Sequence, residues 1–196
     1  YNVTVNYPVS ITSYNLRFTA QFDPNYAAMN EVRFTGPSGS GINGVQASQM
    51  NLRADEGDPG TVAYHVNFGG VPNSGLYTVN YKGTNFAFNI DASQISAHLV
   101  VPVPSFTVSN GMLTAISWTY RNPTNGNVYS SAPSFIENIY IQIDDSNYNR
   151  IYEEEIDDTS IKSHNLSTPI PFSNIGAINM CYDDITGKHY VISFRK

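Results

Sequence analysis

Two acidic pairs are the residues best suited to chemistry in this chain: Asp144-Asp145, followed by Ser146-Asn147, and Asp183-Asp184. A calcium ion takes about six to eight oxygen ligands from carboxylates and carbonyls, often within loops. Both pairs fall where hairpin loops are predicted, so Asp144, Asp145, Asp183 and Asp184 are candidate calcium ligands. The alternating Asp-x-Asp-x-Asp spacing of a helix–loop–helix calcium site is missing. The plainer reading of these carboxylates is solvated charge that keeps sheet edges from pairing with other sheets. Calcium apart, no cofactor is implied.

Aromatic side chains supply the second candidate chemistry. The chain has 14 Tyr, 10 Phe and 1 Trp. Tyr129 and Tyr148 fall in polar, predicted loops, where an exposed ring stacks well on a sugar face. They are the candidate ligand-binding residues. In sheet proteins such rings more often fill the core.

Catalytic motifs are lacking. No Gly-x-Ser-x-Gly elbow, P-loop or His-Glu-x-x-His occurs. Gly36-Pro-Ser-Gly-Ser-Gly41 lacks the lysine of a phosphate cradle and reads as a flexible loop. His65, His98, His164 and His189 have no metal-ligand spacing with one another or with Cys181. A single cysteine forms no internal disulfide. On a strand reading Cys181 lies on the opposite face from Ile178, Met180 and Tyr182, as a small, inert residue. The expectation is a protein that is not an enzyme.

The elements that must position these residues show the two-residue period of strands. Val3, Val5 and Tyr7 alternate with polar residues, as do Leu16, Phe18, Ala20 and Phe22. Tyr64–Phe68, Gly75–Tyr81, Phe86–Ile90, Thr114–Tyr120, Ile139–Ile143, Ile178–Tyr182 and Tyr190–Phe194 read the same way. A single helical turn is expected near Asp91–Ser96. The run Val100-Val101-Pro102-Val103-Pro104 reads as a stiff connector between two halves.

The halves share a pattern. Asn73-x-Gly75-x-Tyr77-x-Val79-x-Tyr81 matches Asn174-x-Gly176-x-Ile178-x-Met180-x-Tyr182 at an offset of 101 residues. Phe86-x-Phe88-x-Ile90 then parallels Tyr190-x-Ile192-x-Phe194. Two copies of one topology are implied. The Asn73-x-Gly75-x-Tyr77-x-Val79 run resembles the Asp-x-Gly-x-Tyr-x-Cys stretch of immunoglobulin domains, which opens their penultimate strand. The resemblance implies a tyrosine corner at Tyr77. Val79 stands in the place of the cysteine, so the inter-sheet disulfide is absent. Leu113-Thr114-Ala115-Ile116-Ser117-Trp118 is similar to the second strand of fibronectin type III domains, with its core tryptophan, although Ile178 replaces the corner tyrosine there. The expected fold class is all-β, with two tandem Ig-like, Greek-key β-sandwich domains: residues 1–101 Ig-like and residues 102–196 fibronectin type III-like.

Composition narrows the function classes. Net charge is −6, and the 10 basic residues are scattered, with only Arg195 and Lys196 adjacent. A nucleic acid would find no electrostatic footprint. No apolar run is long enough for a transmembrane helix. The chain opens at Tyr1 with no signal-like segment, and removal of a targeting segment is the expectation. Charged residues are only 13%, with Asn, Ser, Thr and Tyr supplying the polarity. The expected role is a binding or structural module, extracellular or in the periplasm or cell envelope, with a protein or glycan partner. The alternative is a carbohydrate-binding or accessory module of an extracellular enzyme. The long loops Gly36–Gly60 and Arg121–Ser134 are the candidate partner-binding loops.

Overall fold

The computed structural model describes residues 2–6, 10–22, 31–50, 62–69 and 72–195. The fold is all-β. In chain order the elements are β1 Asn2–Asn6, β2 Ser10–Phe22, β3 Val32–Thr35, β4 Val45–Gln46, β5 Ser48–Met50, β6 Val62–Gly69, β7 Gly75–Tyr81 and β8 Thr84–Ile90. Then follow α1 Ala92–His98, β9 Val101–Ser109, β10 Met112–Arg121, β11 Ile136–Asp145, β12 Arg150–Ile156, β13 Ser163–Pro171, a 3-10 turn Phe172–Asn174, β14 Ile175–Asp184 and β15 His189–Arg195.

Contacts divide the chain into two compact units, one of Tyr1–Tyr14 with His98–Lys196, the other of Asn15–Ala97. In the first unit β12-β11-β14-β15 form one antiparallel run, and β1 adds to β15 in parallel. A second sheet has the order β13-β10-β9. In the Asn15–Ala97 unit β2-β6-β5 and β4-β3-β7-β8 are the corresponding runs.

The core of the first unit comes from the alternating apolar positions. Leu113, Ile116, Trp118 and Tyr120 of β10 are buried, as are Ile139, Ile141 and Ile143 of β11. Ile178, Met180 and Tyr182 of β14 and Tyr190, Ile192 and Phe194 of β15 complete it. Cys181 is buried on the opposite face of β14, and burial pushes its thiol well above the usual range. That holds the sulfur in its unreactive form.

The Val100–Pro104 segment corrects the connector expectation. Residues 101–104 are all buried and belong to β9, where Pro104 lies opposite Trp118 and Pro102 opposite Tyr120. Proline is tolerated because β9 is an edge strand, whose outer N–H groups need no partner in the sheet. The helical turn expected near Asp91 is α1. Asp91 caps it, its Oδ1 accepting from the N–H of Ser93 at 2.9 Å and of Gln94 at 3.3 Å.

The repeated pattern forms two hairpins, β7–β8 and β14–β15. Lys82-Gly83 makes the first turn, with φ of 49° and 82°, the left-handed pair that a two-residue hairpin needs. The second turn is longer and is closed by Asp184 N–H donating to Lys188 O at 3.0 Å. The added turn residues explain why the returning strands are offset further than the outgoing ones.

The corner bond implied at Tyr77 is present: its hydroxyl donates to Asn73 O at 2.8 Å. Gly36 lies against the ring, since a Cβ there would sit 2.6 Å from Tyr77 Cε1. The stretch after β3 is not the loose loop its glycines suggest. Gly36 N–H donates to Ile42 O at 2.8 Å and Ser40 N–H to Pro37 O at 3.0 Å. A Tyr77→Phe variant removes one hydrogen bond from a buried residue. The expected loss is about 1 kcal/mol, read as a lowered midpoint in circular-dichroism melting, and an unchanged midpoint would show that the bond contributes nothing.

Candidate functional site

The antiparallel β11–β14 ladder separates the candidate residues. Asp144 lies opposite Ala177, whereas Asp183 lies opposite Asn138. At about 3.3 Å per residue the two acidic pairs stand roughly 20 Å apart. They end strands instead of filling loops: Asp144 and Asp145 close β11, and Asp183 and Asp184 close β14.

Each carboxylate already has donors. Asp144 is buried, accepting from Arg150 Nε at 2.8 Å and from Asn179 Nδ2 at 2.8 Å. Asp145 turns the chain, its Oδ1 accepting from the N–H of Asn147 at 2.8 Å and of Asn149 at 2.9 Å, and its Oδ2 from Asn149 Nδ2 at 3.0 Å. The Asn149 donors hold its carboxyl below the usual range. Asp183 accepts from Tyr140 OH at 3.1 Å and pairs with His189 Nδ1 at 2.7 Å.

Asp184 is the most enclosed, with no exposed surface. Its Oδ1 accepts from Thr186 N–H at 2.9 Å, Thr186 Oγ1 at 2.5 Å and Lys188 N–H at 3.0 Å. Its Oδ2 meets His98 Nδ1 at 2.8 Å and Tyr190 OH at 3.2 Å. Burial alone would raise its pKa. The donors from Thr186, His98 and Lys188 outweigh burial and hold it at about 2. The stacked neighbour Tyr182 ties down the segment entering β9: its hydroxyl donates to His98 O at 2.9 Å and accepts from Val100 N–H at 3.0 Å. Among the described residues no group of three or more His, Cys, Asp or Glu is placed to hold a metal ion.

The two candidate tyrosines are also kept apart. Tyr129 follows β10, half-buried, its hydroxyl accepting from Asn122 Nδ2 at 3.2 Å and its N–H donating to Tyr120 O at 2.9 Å. Tyr148 lies in the β11–β12 turn, 58% exposed, with φ of 65°.

Tyr148 borders a cleft of about 370 Å³. The β11–β12 turn contributes Asp145, Ser146 and Tyr148, the 3-10 turn Ser173, the start of β14 Ile175 and Gly176, and the end of β15 Arg195. The Arg195 guanidinium lies 5.5 Å from the centre of the Tyr148 ring, a cation–π distance. Gly176 brings β14 against the turn, since a Cβ there would stand 2.5 Å from the Asp145 carbonyl oxygen. A phenol ring, a guanidinium, a carboxylate and two serine side chains thus border one opening. Of these, Tyr148 and Asp145 carry sequence signals. Arg195, Ser173 and Gly176 reach the cleft through the fold alone.

No protein-family model matches the chain, and no curated protein matches its sequence.

Proposed function

We propose that the chain is a non-catalytic binding or structural module of a secreted or cell-envelope protein, and that a partner meets it at the Tyr148–Arg195 cleft. The cleft carries the reading: it is open, chemically mixed, and held at the end of a sheet by a bonded turn. The strand orders β13-β10-β9 and β12-β11-β14-β15 support a fibronectin type III-like sandwich for residues 102–196, and Trp118 sits buried in its second strand. The orders β2-β6-β5 and β4-β3-β7-β8, with the Tyr77 corner bond, support an Ig-like sandwich within residues 1–101, although β1 pairs with β15 and belongs to the unit that β15 forms. Among the described residues no helix is long and apolar enough to cross a membrane.

Compartment is tested by fractionating cells that carry the whole gene. Recovery in the medium or envelope is expected, and a chain confined to the cytosol contradicts the reading. The second reading, a carbohydrate-binding module, is favoured by the 58% exposure of Tyr148 beside Asp145 and Arg195. On an array of neutral and uronic-acid glycans, the wild-type chain is then expected to bind a subset. Tyr148→Ala and Arg195→Ala should each weaken that binding at least about tenfold, the scale of an interface hot spot. An array without wild-type binding removes this second reading.

A further inference from the structure

We propose that the chain forms a two-fold dimer by pairing β8 antiparallel with β8 of a second copy. β8 ends the order β4-β3-β7-β8. The two-residue turn fixes which of its groups face outward. Tyr81 and Thr84 flank the turn as a bonded pair, so Thr84, Phe86, Phe88 and Ile90 bond to β7. The N–H and C=O groups of Asn85, Ala87 and Asn89 therefore point away from the sheet. Among the described residues, no hydrogen bond takes up these outward groups.

Within β8 itself no device guards this edge. β8 has no charged residue, no proline and no register shift, the usual devices against edge pairing. Thr84 through Asn89 are all exposed, and Phe86 and Phe88 are 56% and 37% exposed. Isolated exposed rings are ordinary. Phe86 and Phe88 share the face of buried Val79 and Tyr77, with Phe88 stacked on Tyr77 at 6.0 Å, and extend the apolar surface of that face to the edge of the sheet.

The sequence of the edge identifies the occupant. Asn85-Phe86-Ala87-Phe88-Asn89 reads the same in both directions. A two-fold interface must be self-complementary. With the axis at Ala87, Ala87 faces its own mate, Phe86 faces Phe88 of the second copy, and Asn85 faces Asn89 of the second copy. Phenylalanines meet on one face of the strand and side-chain amides, each both donor and acceptor, on the other. The same register sets the Lys82-Gly83 turn beside Asp91 of the second copy, opposite charges at each end of the seam. Pairing uses the β8 edge of both copies, so assembly through this strand stops at two.

Sedimentation equilibrium of the full chain tests this, beside Phe86→Lys and Ala87→Pro, with circular dichroism confirming that each variant folds. The wild type is expected to dimerise reversibly. Phe86→Lys should weaken the dimer at least about tenfold, which is about 1.4 kcal/mol, and Ala87→Pro should abolish it by removing an outward N–H. Ala87→Cys supplies an independent readout. The axis puts the two Cα atoms about 5.5 Å apart, within disulfide reach, and buried Cys181 offers no competing thiol. Oxidation should give a covalent species of twice 21.6 kDa. A wild type that stays monomeric with no Ala87→Cys cross-link, a dimer indifferent to both substitutions, or assembly beyond two overturns the proposal. If Ala87→Pro fails to fold, Phe86→Lys and the cross-link still decide.

Discussion

Replacing Asp184 with Ala is expected to destabilise the unit bearing Trp118 by about 2–3 kcal/mol, the cost of removing a buried carboxylate that accepts several hydrogen bonds. Five donor groups converge on this carboxylate, from Thr186, Lys188, His98 and Tyr190. Alanine would remove the acceptor these groups share. The residue also joins distant parts of the chain, because His98 leads into β9 whereas Thr186 and Lys188 belong to the β14–β15 turn. Trp118 is the only tryptophan, so its fluorescence in urea reports on this unit alone.

The same carboxylate sets an acid limit. Its pKa is about 2 in the folded chain against an ordinary 3.8. A carboxyl held down in this way stabilises the fold at every pH above its unfolded value. The contribution, about 2 kcal/mol, is lost as pH falls through about 2. Wild-type stability should therefore drop between about pH 4 and pH 2. Asp184→Asn should show a smaller loss than alanine at neutral pH and a flatter acid limb. Equal acid limbs in wild type and Asp184→Asn would show that other groups set the acid response.

Gly176→Ala is expected to cost about 1–3 kcal/mol, the usual range for overpacking. The added Cβ would meet Asp145 O at 2.5 Å and Ser146 Cα at 2.7 Å. Both are backbone atoms, so no side chain can swing aside to make room. Either β14 or the β11–β12 turn must move, and the turn carries Tyr148. The variant should thus lose stability in urea and, separately, lose cleft binding. A Gly176→Ala chain with wild-type stability would show that the close approach of β14 to the turn is not maintained in solution.

Much of the fold was legible because its strands carry large apolar residues at alternate positions, even in β14, where Asn179 and Cys181 on the other face are buried too. Leu113–Tyr120, Ile139–Ile143 and Ile178–Tyr182 alternate because alternate positions enter the core. β12 and β13 gave no such signal. β12 is an edge strand whose Glu153–Glu155 stay near solvent, so its apolar residues keep no period. These glutamates fit the reading of acidic residues as edge protection. β13 buries only Leu166 and Ile170 across nine residues. The prolines of β9 masked a buried strand because an edge position makes no demand on their missing N–H.

The site was legible in part, for a related reason. Tyr148 and Asp145 are visible as a turn with an aromatic residue. Arg195 and Gly176 are brought to it by β15 and β14, and no local pattern marks that approach. His98 and Asp184 are 86 residues apart, and nothing in the neighbourhood of either in the sequence points to the other. Turns can be read from local residue types, whereas a cleft assembled from several strand ends depends on sheet register.

The central claim is that a partner meets the chain at the Tyr148–Arg195 cleft. The most direct measurement places a photo-crosslinking amino acid at Ser146, in the cleft, and in a second chain at Thr124, in the loop after β10, with both chains expressed in their native cells. The expected result is a covalent adduct to an envelope protein or glycan from position 146, none from position 124, and loss of the adduct when Tyr148→Ala is added. No adduct from position 146, or one that forms equally from position 124 or survives Tyr148→Ala, would contradict the claim.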